Sequence, residues 1–459
     1  MRTLLLLLLL LATALPCAAG ELRVGAASVV ITPARGTPLA GYYEMRTADA
    51  VRDDLYAKAL VFEQDGARAA VVICDLITLG RGTVEQARRR IEQTAAIPGS
   101  NVLIAATHTH TGPIVPRNSS RELSEGATNA AARQFAASVP ELIARSVREA
   151  AGRLAPIRAF AAVELEEHLS HNRRYWLRDG TVAWNPPKLG TNIVRPAGPI
   201  DPDVAVVYFE SLATNALATL VNFAMHPDTV GGTQISADYP GALARRLAAW
   251  KGPDMLTVFA NGACGNINHR DLRWLDPQKG PGEAERLGGV LAGAVQRTWP
   301  RLLPLTNAPP RTRSEMVRLP LPKITEADLE RARATVNRLA DRQTKFLDKV
   351  DAFKVLDVAA REGKPWEVEV QVIALGDQLA IVGLPGEIFV ELGLAIKKAS
   401  PFPVTVIAEL ANGSIGYVPN RSAYAEGNYE VVSARCAQGA GELLVDSAVK
   451  LLRELRKDR

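Results

Sequence analysis

Cysteine is scarce in this sequence. Of 459 residues only four are cysteines, and three of them (Cys74, Cys264 and Cys436) lie beyond the amino-terminal apolar run. At most one disulfide can therefore form among those three, and their spacing does not resemble a zinc knuckle. Cys74 ends an apolar run, so we expect a buried small hydrophobe there. With 47% hydrophobic residues, the chain has ample material for a large core.

Several function classes lack their characteristic sequence features. There is no glycine-rich G-x-G-x-x-G or Walker loop, so nucleotide chemistry has no support. There is no G-x-S-x-G elbow, so a Ser-His-Asp hydrolase is unsupported. The formal net charge is +5 and the pI about 9.0, with no dense Lys/Arg block. This disfavours nucleic-acid binding, while a peripheral contact with anionic membrane surfaces is allowed.

The amino terminus has the parts of a secretory signal peptide. Arg2 precedes the apolar run at residues 4–11, and small residues lead to Ala19. We expect cleavage after Ala19 and export, so that the protein is secreted or periplasmic. Lipoprotein anchoring through Cys17 is disfavoured because Pro16 is a poor residue before a lipidated cysteine. No later segment is apolar enough to predict a membrane-spanning helix.

The alternation of apolar runs predicts an α/β fold with a mixed β-sheet core and helices on both faces. Two hairpins, with turns at Asp65-Gly66 and Gly376-Asp377, introduce antiparallel strands into an otherwise alternating strand–helix order. A long exposed helix is predicted from Thr325 to about Phe346, opening with a capping box between Thr325 and Asp328. The sequence shows no internal repeat, and residues 20–459 are interpreted as one domain.

Histidine is also scarce, and its placement points to a site. His108 and His110 follow the predicted strand 102–106, His226 ends another strand, and Glu387 follows a third. The carboxyl ends of strands in open α/β sheets are where ligands and catalytic groups collect. A lone histidine there is more often a loop residue, but an extended backbone puts two imidazoles at i, i+2 on one side. Two histidines and a glutamate match a catalytic zinc site.

Four segments along the chain form a recognisable series. They are a histidine motif at 106–113, a second histidine segment at 223–227 with its Ser-Asp element at 236–241, a Pro-Gly-Glu segment at 385–387, and a tyrosine-rich segment with Asn412, Tyr417, Tyr424 and Tyr429. Taken together, these segments resemble the neutral ceramidases, which are secreted zinc amidases that cleave the N-acyl bond of ceramide. The segments occur in the family's order over most of residues 22–445.

The resemblance implies a role for each matching residue. His110 is expected beside the metal as a transition-state stabiliser or proton carrier, and Arg173 and Tyr429 are expected to hold the substrate. Arg174 competes with Arg173 for that role. Asp238 either orients a ligand histidine or caps the helix that follows it. The ligands expected to coordinate Zn2+ are His108, His226, Glu387 and Tyr417.

The sequence departs from the ceramidases in two places. Asn268, within the segment 265–269, occupies the position of the family's nucleophilic serine, and an amide is not a nucleophile. The sequence also ends about thirty residues beyond Tyr429, so we expect it to lack the family's carboxyl-terminal β-sandwich domain. The simplest remaining mechanism is attack by metal-activated water, with His110 or His269 as proton shuttle and Asn268 as oxyanion donor. Alternatively, His269 is a loop histidine paired with Asp271.

Three functional hypotheses follow. The leading one is an exported zinc-dependent hydrolase that cleaves an N-acyl amide or ester bond in a small-molecule or lipid substrate. The second is a true ceramidase that works without the serine. The third is a non-catalytic, ligand-binding relative, for which a complete set of metal ligands is not needed. The sequence does not determine the oligomeric state.

Overall fold

The computed structural model describes residues 20–117, 119–306 and 308–457. The predicted signal peptide, residues 1–19, lies outside the described residues. Within them, no helix combines the length and the apolar character needed to cross a membrane. All three described cysteines are free and buried. The prediction that Cys74 is a buried small hydrophobe is therefore confirmed.

A large mixed sheet forms the centre of the described chain, with strand order β8-β7-β6-β5-β1-β2-β3-β4 and β9 beside β5. Neighbouring strands are antiparallel except for two parallel pairs, β3 with β4 and β7 with β8. Its strands are β1 (Arg23–Val30), β2 (Tyr56–Gln64), β3 (Ala67–Cys74), β4 (Val102–Ala106), β5 (Ala155–Leu165), β6 (Asp203–Ser211), β7 (Ala216–Phe223), β8 (Leu256–Asn261) and β9 (Leu303–Pro304).

A second, four-stranded sheet stacks on the first, with strand order β10-β11-β12-β13. Only the pair β12 and β13 is parallel. Its strands are β10 (Arg311–Leu319), β11 (Trp366–Leu375), β12 (Leu379–Gly383) and β13 (Val404–Ala408). Further short strands are Pro38–Leu39, Arg46–Thr47, Ala50–Val51, His171–Asn172, Arg174–Leu177, Val182–Trp184, Ile193–Pro196, Gln234–Ile235, Ile267–Asn268, Glu387–Ile388 and Tyr417–Val418.

Helices cover the outer face of each sheet, which gives four layers in the order helix, sheet, sheet, helix. Helices α1, α3, α4 and α5 pack on the large sheet, and α8 and α11 pack on the small one. The helices are α1 (Arg81–Ala95), α2 (Ser120–Ser124), α3 (Ala130–Ala151), α4 (Asp238–Lys251), α5 (Pro281–Thr298), α6 (Glu326–Val336), α7 (Phe346–Ala359), α8 (Val390–Ala399), α9 (Ala423–Glu426), α10 (Tyr429–Ser433) and α11 (Ala440–Lys457), with 3₁₀ turns at Gly99–Asn101 and Trp299–Arg301.

The layering explains the apolar runs in the sequence. In β3, Val72 and Cys74 face the helices, whereas Val71 and Ile73 face the second sheet. Both faces of the strand are buried, so its residues are apolar without alternation. The predicted α/β class with a mixed sheet is confirmed, and the structure adds that the strands form two stacked sheets with helices on the outer faces.

The chain repeats one unit three times. Each unit has three antiparallel-paired strands, a helix, a fourth strand parallel to the third, and a second helix. The first module is β1-β2-β3-α1-β4-α3, the second is β5-β6-β7-α4-β8-α5, and the third is β10-β11-β12-α8-β13-α11. The sequence shows no repeat, so the modules share backbone topology rather than recognisable residues.

Two local expectations can be compared with the structure. Both predicted hairpin turns form, and Asp65 and Gly66 both adopt positive φ (52° and 81°), as a tight turn between twisted strands requires. The long helix predicted to reach Phe346 is wrong at its carboxyl end. The capping box between Thr325 and Asp328 forms, but α6 ends at Val336 and a separate helix, α7, begins at Phe346.

Candidate metal centre

His108 lies in the loop that follows β4. Its backbone adopts φ 75°, and its N–H donates to the carbonyl of Leu76, in the loop after the parallel neighbour β3. The ring Nδ1 lies 2.8 Å from the carbonyl oxygen of Ile77. A carbonyl accepts only from N–H, so Nδ1 carries the proton and Nε2 presents its lone pair to the centre of the site.

His226 follows β7 and is held in the same way. Its Nδ1 lies 2.8 Å from the carbonyl oxygen of Cys264 and 3.0 Å from that of Ile267, both in the loop after β8. Its Nε2 is buried and has no hydrogen-bond partner. Burial lowers the pKa of His226 to about 3, helped by the nearby Arg173 guanidinium. His226 is therefore neutral at physiological pH, with an unused lone pair.

Glu387 follows β12, and its carboxylate lies beside both of these histidines. Its carboxylate Oε2 lies 3.4 Å from Nε2 of His108 and 3.5 Å from Nε2 of His226. Burial opposes ionisation of Glu387, but the two histidines outweigh it and hold the pKa of this carboxyl well below its usual range. Gly386 is required before it, because a Cβ there would lie 2.7 Å from the carbonyl oxygen of Gly416.

His110 lies on the other side of His108. The Nε2 atoms of the two rings are 3.3 Å apart, and Nδ1 of His110 lies 3.6 Å from Oδ1 of Asp228. Tyr42 donates a short hydrogen bond to the same carboxylate oxygen. Burial, together with the neighbouring imidazoles of His108 and His226, lowers the pKa of His110 well below its usual value. His110 is therefore a neutral base whose ring is bordered by a carboxylate.

Tyr417 and Arg173 occupy the adjacent wall. The phenol oxygen of Tyr417 accepts a 3.0 Å hydrogen bond from Arg173, and the Arg173 Nε donates to Glu430 at 2.9 Å. Burial and the neighbouring Glu387 raise the pKa of Tyr417 well above its usual value. Ligation by this phenol therefore requires a cation beside it.

Arg173, rather than Arg174, reaches the site. Arg174 points to the acidic pair Glu426 and Glu430 behind it. Tyr429 packs edge-on against Tyr417 with ring centroids 5.4 Å apart. The two substrate-binding candidates, Arg173 and Tyr429, thus both lie within reach of the predicted metal ligands.

Asn268 and His269 are farther from the cluster. The amide nitrogen of Asn268 donates to Asn185 at 3.0 Å, and its oxygen accepts from the N–H of Arg270. His269 Nε2 lies 2.7 Å from the carbonyl oxygen of Gln278, while Nδ1 is buried without a partner. Asp271 is bound by Arg273 instead of by His269. Neither Asn268 nor His269 belongs to the group of converging metal-type ligand atoms.

Asp238 does not contact His226. Its Oδ2 accepts from the N–H groups of Thr229 and Val230, and its Oδ1 accepts from the N–H of Tyr239 in the first turn of α4. Its described contacts do not support the orientation of His226, and Asp238 itself lies in the first turn of α4, after the N-cap residue Ala237. It also ties the loop after His226 to that helix.

The buried group fits a metal ion. The imidazole nitrogens of His108, His110 and His226 lie within 4.8 Å of one another, and Glu387 bridges two of them. Ligand atoms bound tetrahedrally at about 2.0–2.1 Å lie about 3.3–3.4 Å apart, close to the 3.4 and 3.5 Å between the Glu387 carboxylate and the two imidazoles. The unpartnered Nε2 of His226 also gains a partner in this way, because a buried polar atom without one is costly. A metal ion is therefore a suitable occupant of this group.

Four residues of the site carry no motif that predicts them: Asp228, Tyr42, Cys264 and Glu409. The thiol of Cys264 lies 3.2 Å from Nδ1 of His226 and donates to Glu409 at 2.9 Å. Glu409 directly follows β13, so the strand-end rule that points to Glu387 also points to it. Asp228 is two residues after His226, which is a weak signal. Nothing in the sequence indicates Tyr42.

Comparison with solved structures identifies the fold. The structure of neutral ceramidase from Pseudomonas aeruginosa matches with a TM-score of 0.70 at 21% identity, covering 95% of this chain and 75% of that chain. A second structure, a ceramidase complexed with C2, matches with a TM-score of 0.71 at 19% identity, covering 95% and 76%. By sequence, no family model and no curated protein matches. The chain therefore has the neutral ceramidase fold, and at the level of that fold the resemblance carried by the four motifs is confirmed.

Proposed function

We propose that this protein is an exported, zinc-dependent hydrolase that cleaves an N-acyl amide or ester bond. The observation that carries the proposal is the convergence of His108, His226 and Glu387, with 3.4 and 3.5 Å between the carboxylate and the two imidazoles. Two nitrogens and one carboxylate oxygen are the donor set of many catalytic zinc sites. Tyr417 is the proposed fourth ligand because its phenol borders Glu387 and Arg173.

The chain's own residues divide the chemistry between them. A bound divalent cation supplies Lewis-acid polarisation of the acyl oxygen and activation of water at neutral pH. His110 is placed to move a proton, since its Nε2 faces the centre and its Nδ1 faces Asp228. Arg173 and Tyr429 are placed to orient the acyl compound. A mechanism without a serine nucleophile depends less on Asn268. The amide nitrogen of Asn268 donates a hydrogen bond to Asn185.

His110 is favoured over His269 as the proton shuttle. His110 lies in the histidine group, whereas His269 is directed to the carbonyl of Gln278. Export rests on the sequence of residues 1–19 alone. Within the described residues, the absence of a membrane-spanning helix neither adds to nor subtracts from that part of the proposal.

The proposal is tested by metal analysis combined with a panel of N-acyl and ester substrates that includes ceramide. We expect one zinc per chain in the purified protein, hydrolysis of at least one amide or ester, and loss of both in His226→Ala. His168→Ala, a substitution of an exposed histidine, serves as the matched control. Hydrolysis that survives His226→Ala would overturn the site, and wild-type protein without stoichiometric metal would favour the non-catalytic binding protein.

A further inference from the structure

A small cavity lies directly against the candidate metal centre. Its wall includes His108, His110, Glu387, Tyr417 and Tyr429, so it is the space into which the proposed ligands face. Its volume is about 40 Å³. One water needs about 10–15 Å³ on this measure, so the space holds only a few water-sized groups. An acetyl-sized acyl group fits there, whereas a long fatty acyl chain does not.

The rest of that wall mixes charged and aliphatic side chains. Arg121 and Glu125 form an ion pair at 3.0 Å, and the Glu125 side chain is only 1% exposed. Arg117 pairs with Glu122 at 2.7 Å on the same wall. The aliphatic part of the lining is limited to Ala40, Ile77, Ile114 and Val115. A pocket for a long alkyl chain is lined mainly by apolar side chains, because binding there depends on burying apolar surface. These surroundings, with charged side chains beside a few aliphatic ones, suit a short acyl group better.

A second and much larger cavity adjoins the first. Its volume is about 1040 Å³, and the two cavities share Arg117 and Arg435 in their walls. Ser414 and Ile415 line the large cavity, and Gly416 and Tyr417 line the small one, so a single loop passes along both. Arg435 also pairs with Asp357 at 2.7 Å. Movement of the two arginines would join the spaces and connect the metal centre with the outside.

Cationic side chains outnumber acidic ones in the wall of the large cavity. Six cationic side chains line it against three acidic ones. The cavity also contains backbone and amide groups from the loop at residues 412–415. Such a lining concentrates anions and raises their association rate. The cationic residues are Arg81, Arg117, Arg318, Arg361, Lys364 and Arg435, and the acidic ones are Asp357, Glu367 and Glu369.

We propose that the site removes a short acyl group from a polar, anionic N-acyl compound. This inference rests on the proposed function and specifies its substrate class. The acyl group occupies the small cavity, and the anionic amine portion occupies the large one beside Arg117 and Arg435. Hydrolysis breaks the C–N bond. Water supplies a hydroxyl group to the acyl carbon and one proton to the leaving nitrogen, so the products are a short carboxylic acid and a free amine.

The experiment uses the full mature protein loaded with zinc and two matched series of probes. One series is N-acyl-glutamates with acetyl, butanoyl, octanoyl and dodecanoyl chains, and the other is their uncharged diamides. Dodecanoyl-sphingosine is included as a two-chain lipid. We expect kcat/KM to be highest for the acetyl diacid, and to fall at least tenfold from acetyl to dodecanoyl. We also expect it to fall at least tenfold from each diacid to its diamide.

A charge variant tests the large cavity itself. Arg318 and Lys364 are exposed, so Arg318→Gln/Lys364→Gln can be made without disturbing the core. We expect the diacid-to-diamide ratio of kcat/KM to fall by about fivefold to tenfold. Arg153→Gln/Arg246→Gln, which removes two exposed arginines away from the cavity, should leave the ratio unchanged. An unchanged ratio in the first variant overturns the placement of the anionic portion.

The remaining outcomes separate this inference from the proposed function. Equal or faster hydrolysis of the dodecanoyl compounds, of the diamides or of dodecanoyl-sphingosine overturns the inference but leaves the hydrolase intact. No hydrolysis of any amide or ester by the zinc-loaded protein overturns the proposed function, and the inference with it.

Discussion

The first and second modules present their histidines from different strands of the same unit. In the first module His108 follows the fourth strand, β4, and its Nδ1 is fixed by the carbonyl of Ile77 after the third strand, β3. In the second module His226 follows the third strand, β7, and its Nδ1 is fixed by the carbonyl of Cys264 after the fourth, β8. The histidine follows the fourth strand in the first module and the third strand in the second, and the supporting carbonyl follows the other strand of the pair. The two imidazoles nevertheless lie in one group.

The third module follows the second. Glu387 comes after its third strand, β12, and its N–H donates to the carbonyl of Gly416 in the segment after its fourth, β13. Glu409, directly after β13, accepts from the N–H groups of Cys264 and Ile388 and so ties the second and third modules together. Each module therefore contributes, from a strand end, one of the three proposed metal ligands His108, His226 and Glu387, together with a group that supports it; these three are called the inner residues.

This comparison separates what the fold determines from what the residues determine. The carboxyl ends of a parallel strand pair come together in every module, so the fold determines where a site forms. Which of the two strands carries the ligand depends only on side chains, because either loop reaches the centre. The same architecture can therefore support different inner residues.

The strongest test of the comparison removes one inner residue from each module. We expect His108→Ala, His226→Ala and Glu387→Ala each to lose stoichiometric metal and to lower kcat/KM by about three orders of magnitude or more. Metal content by elemental analysis and turnover of the best N-acyl substrate measure this. The matched control is Asp75→Asn, at the end of the third strand of the first module, which should retain metal. If Asp75→Asn also released metal, a residue after the third strand of the first module would matter for binding. That result would contradict the assignment of this module's ligand to its fourth strand.

The two histidines of the first module are predicted to behave differently. His110→Ala should keep the metal but lower kcat by about 10²–10⁴-fold, because a positioned proton-transfer group contributes on that scale. Elemental analysis and kcat on the same preparation separate this from the effect of His108→Ala. Loss of metal in His110→Ala would instead make His110 a ligand, as its 3.3 Å approach to His108 allows.

Much of this site could be predicted from the sequence because its inner residues sit in short loops next to apolar strands. His108 lies two residues beyond β4, His226 three beyond β7 and Glu387 four beyond β12. So short a loop leaves the residue close to the strand end, and the strand itself is visible as an apolar run. Arg173 and Tyr429 lie on less regular segments, and only the family resemblance pointed to them.

The parts that could not be predicted depend on contacts between distant segments. Tyr42 reaches Asp228 across 186 positions, and Cys264 reaches Glu409 across 145. No local periodicity encodes such pairs. The repeated module was also hidden, because the three copies share strand order and pairing without shared residues. The break after α6 could not be predicted because apolar residues keep helical spacing in the sequence up to Leu339, whereas α6 ends at Val336.

Replacing a supporting group should lower metal affinity less than replacing an inner residue, and the second module offers the clearest case. Cys264→Ala removes the thiol that lies 3.2 Å from Nδ1 of His226, while leaving the backbone carbonyl in place. We expect metal affinity to fall by about tenfold, at the lower end for a group behind a ligand. Competition with a chelator measures this. Cys74 is an equally buried cysteine in the first module. We expect Cys74→Ala to lower thermal stability as much as Cys264→Ala does, but not to lower metal affinity in the same way.

The smallest expected effect distinguishes how the helices of the second module pack. Gly288 in α5 touches α4, because a Cβ there would lie 2.6 Å from Cβ of Ala242 and from the N of Leu243, whereas a Cβ at Gly289 would meet only the flexible Arg246 side chain, at 4.0 Å. Gly289→Ala should raise the free energy of unfolding by about 0.5–1 kcal/mol, since alanine is the better helix former. Gly288→Ala should lower it by about 1–3 kcal/mol, since backbone cannot yield easily. Denaturant midpoints measure both. Shifts of the same sign would mean that α4 and α5 are not in the close contact that Gly288 allows. The helices of the second module would then pack no more tightly than those of the first.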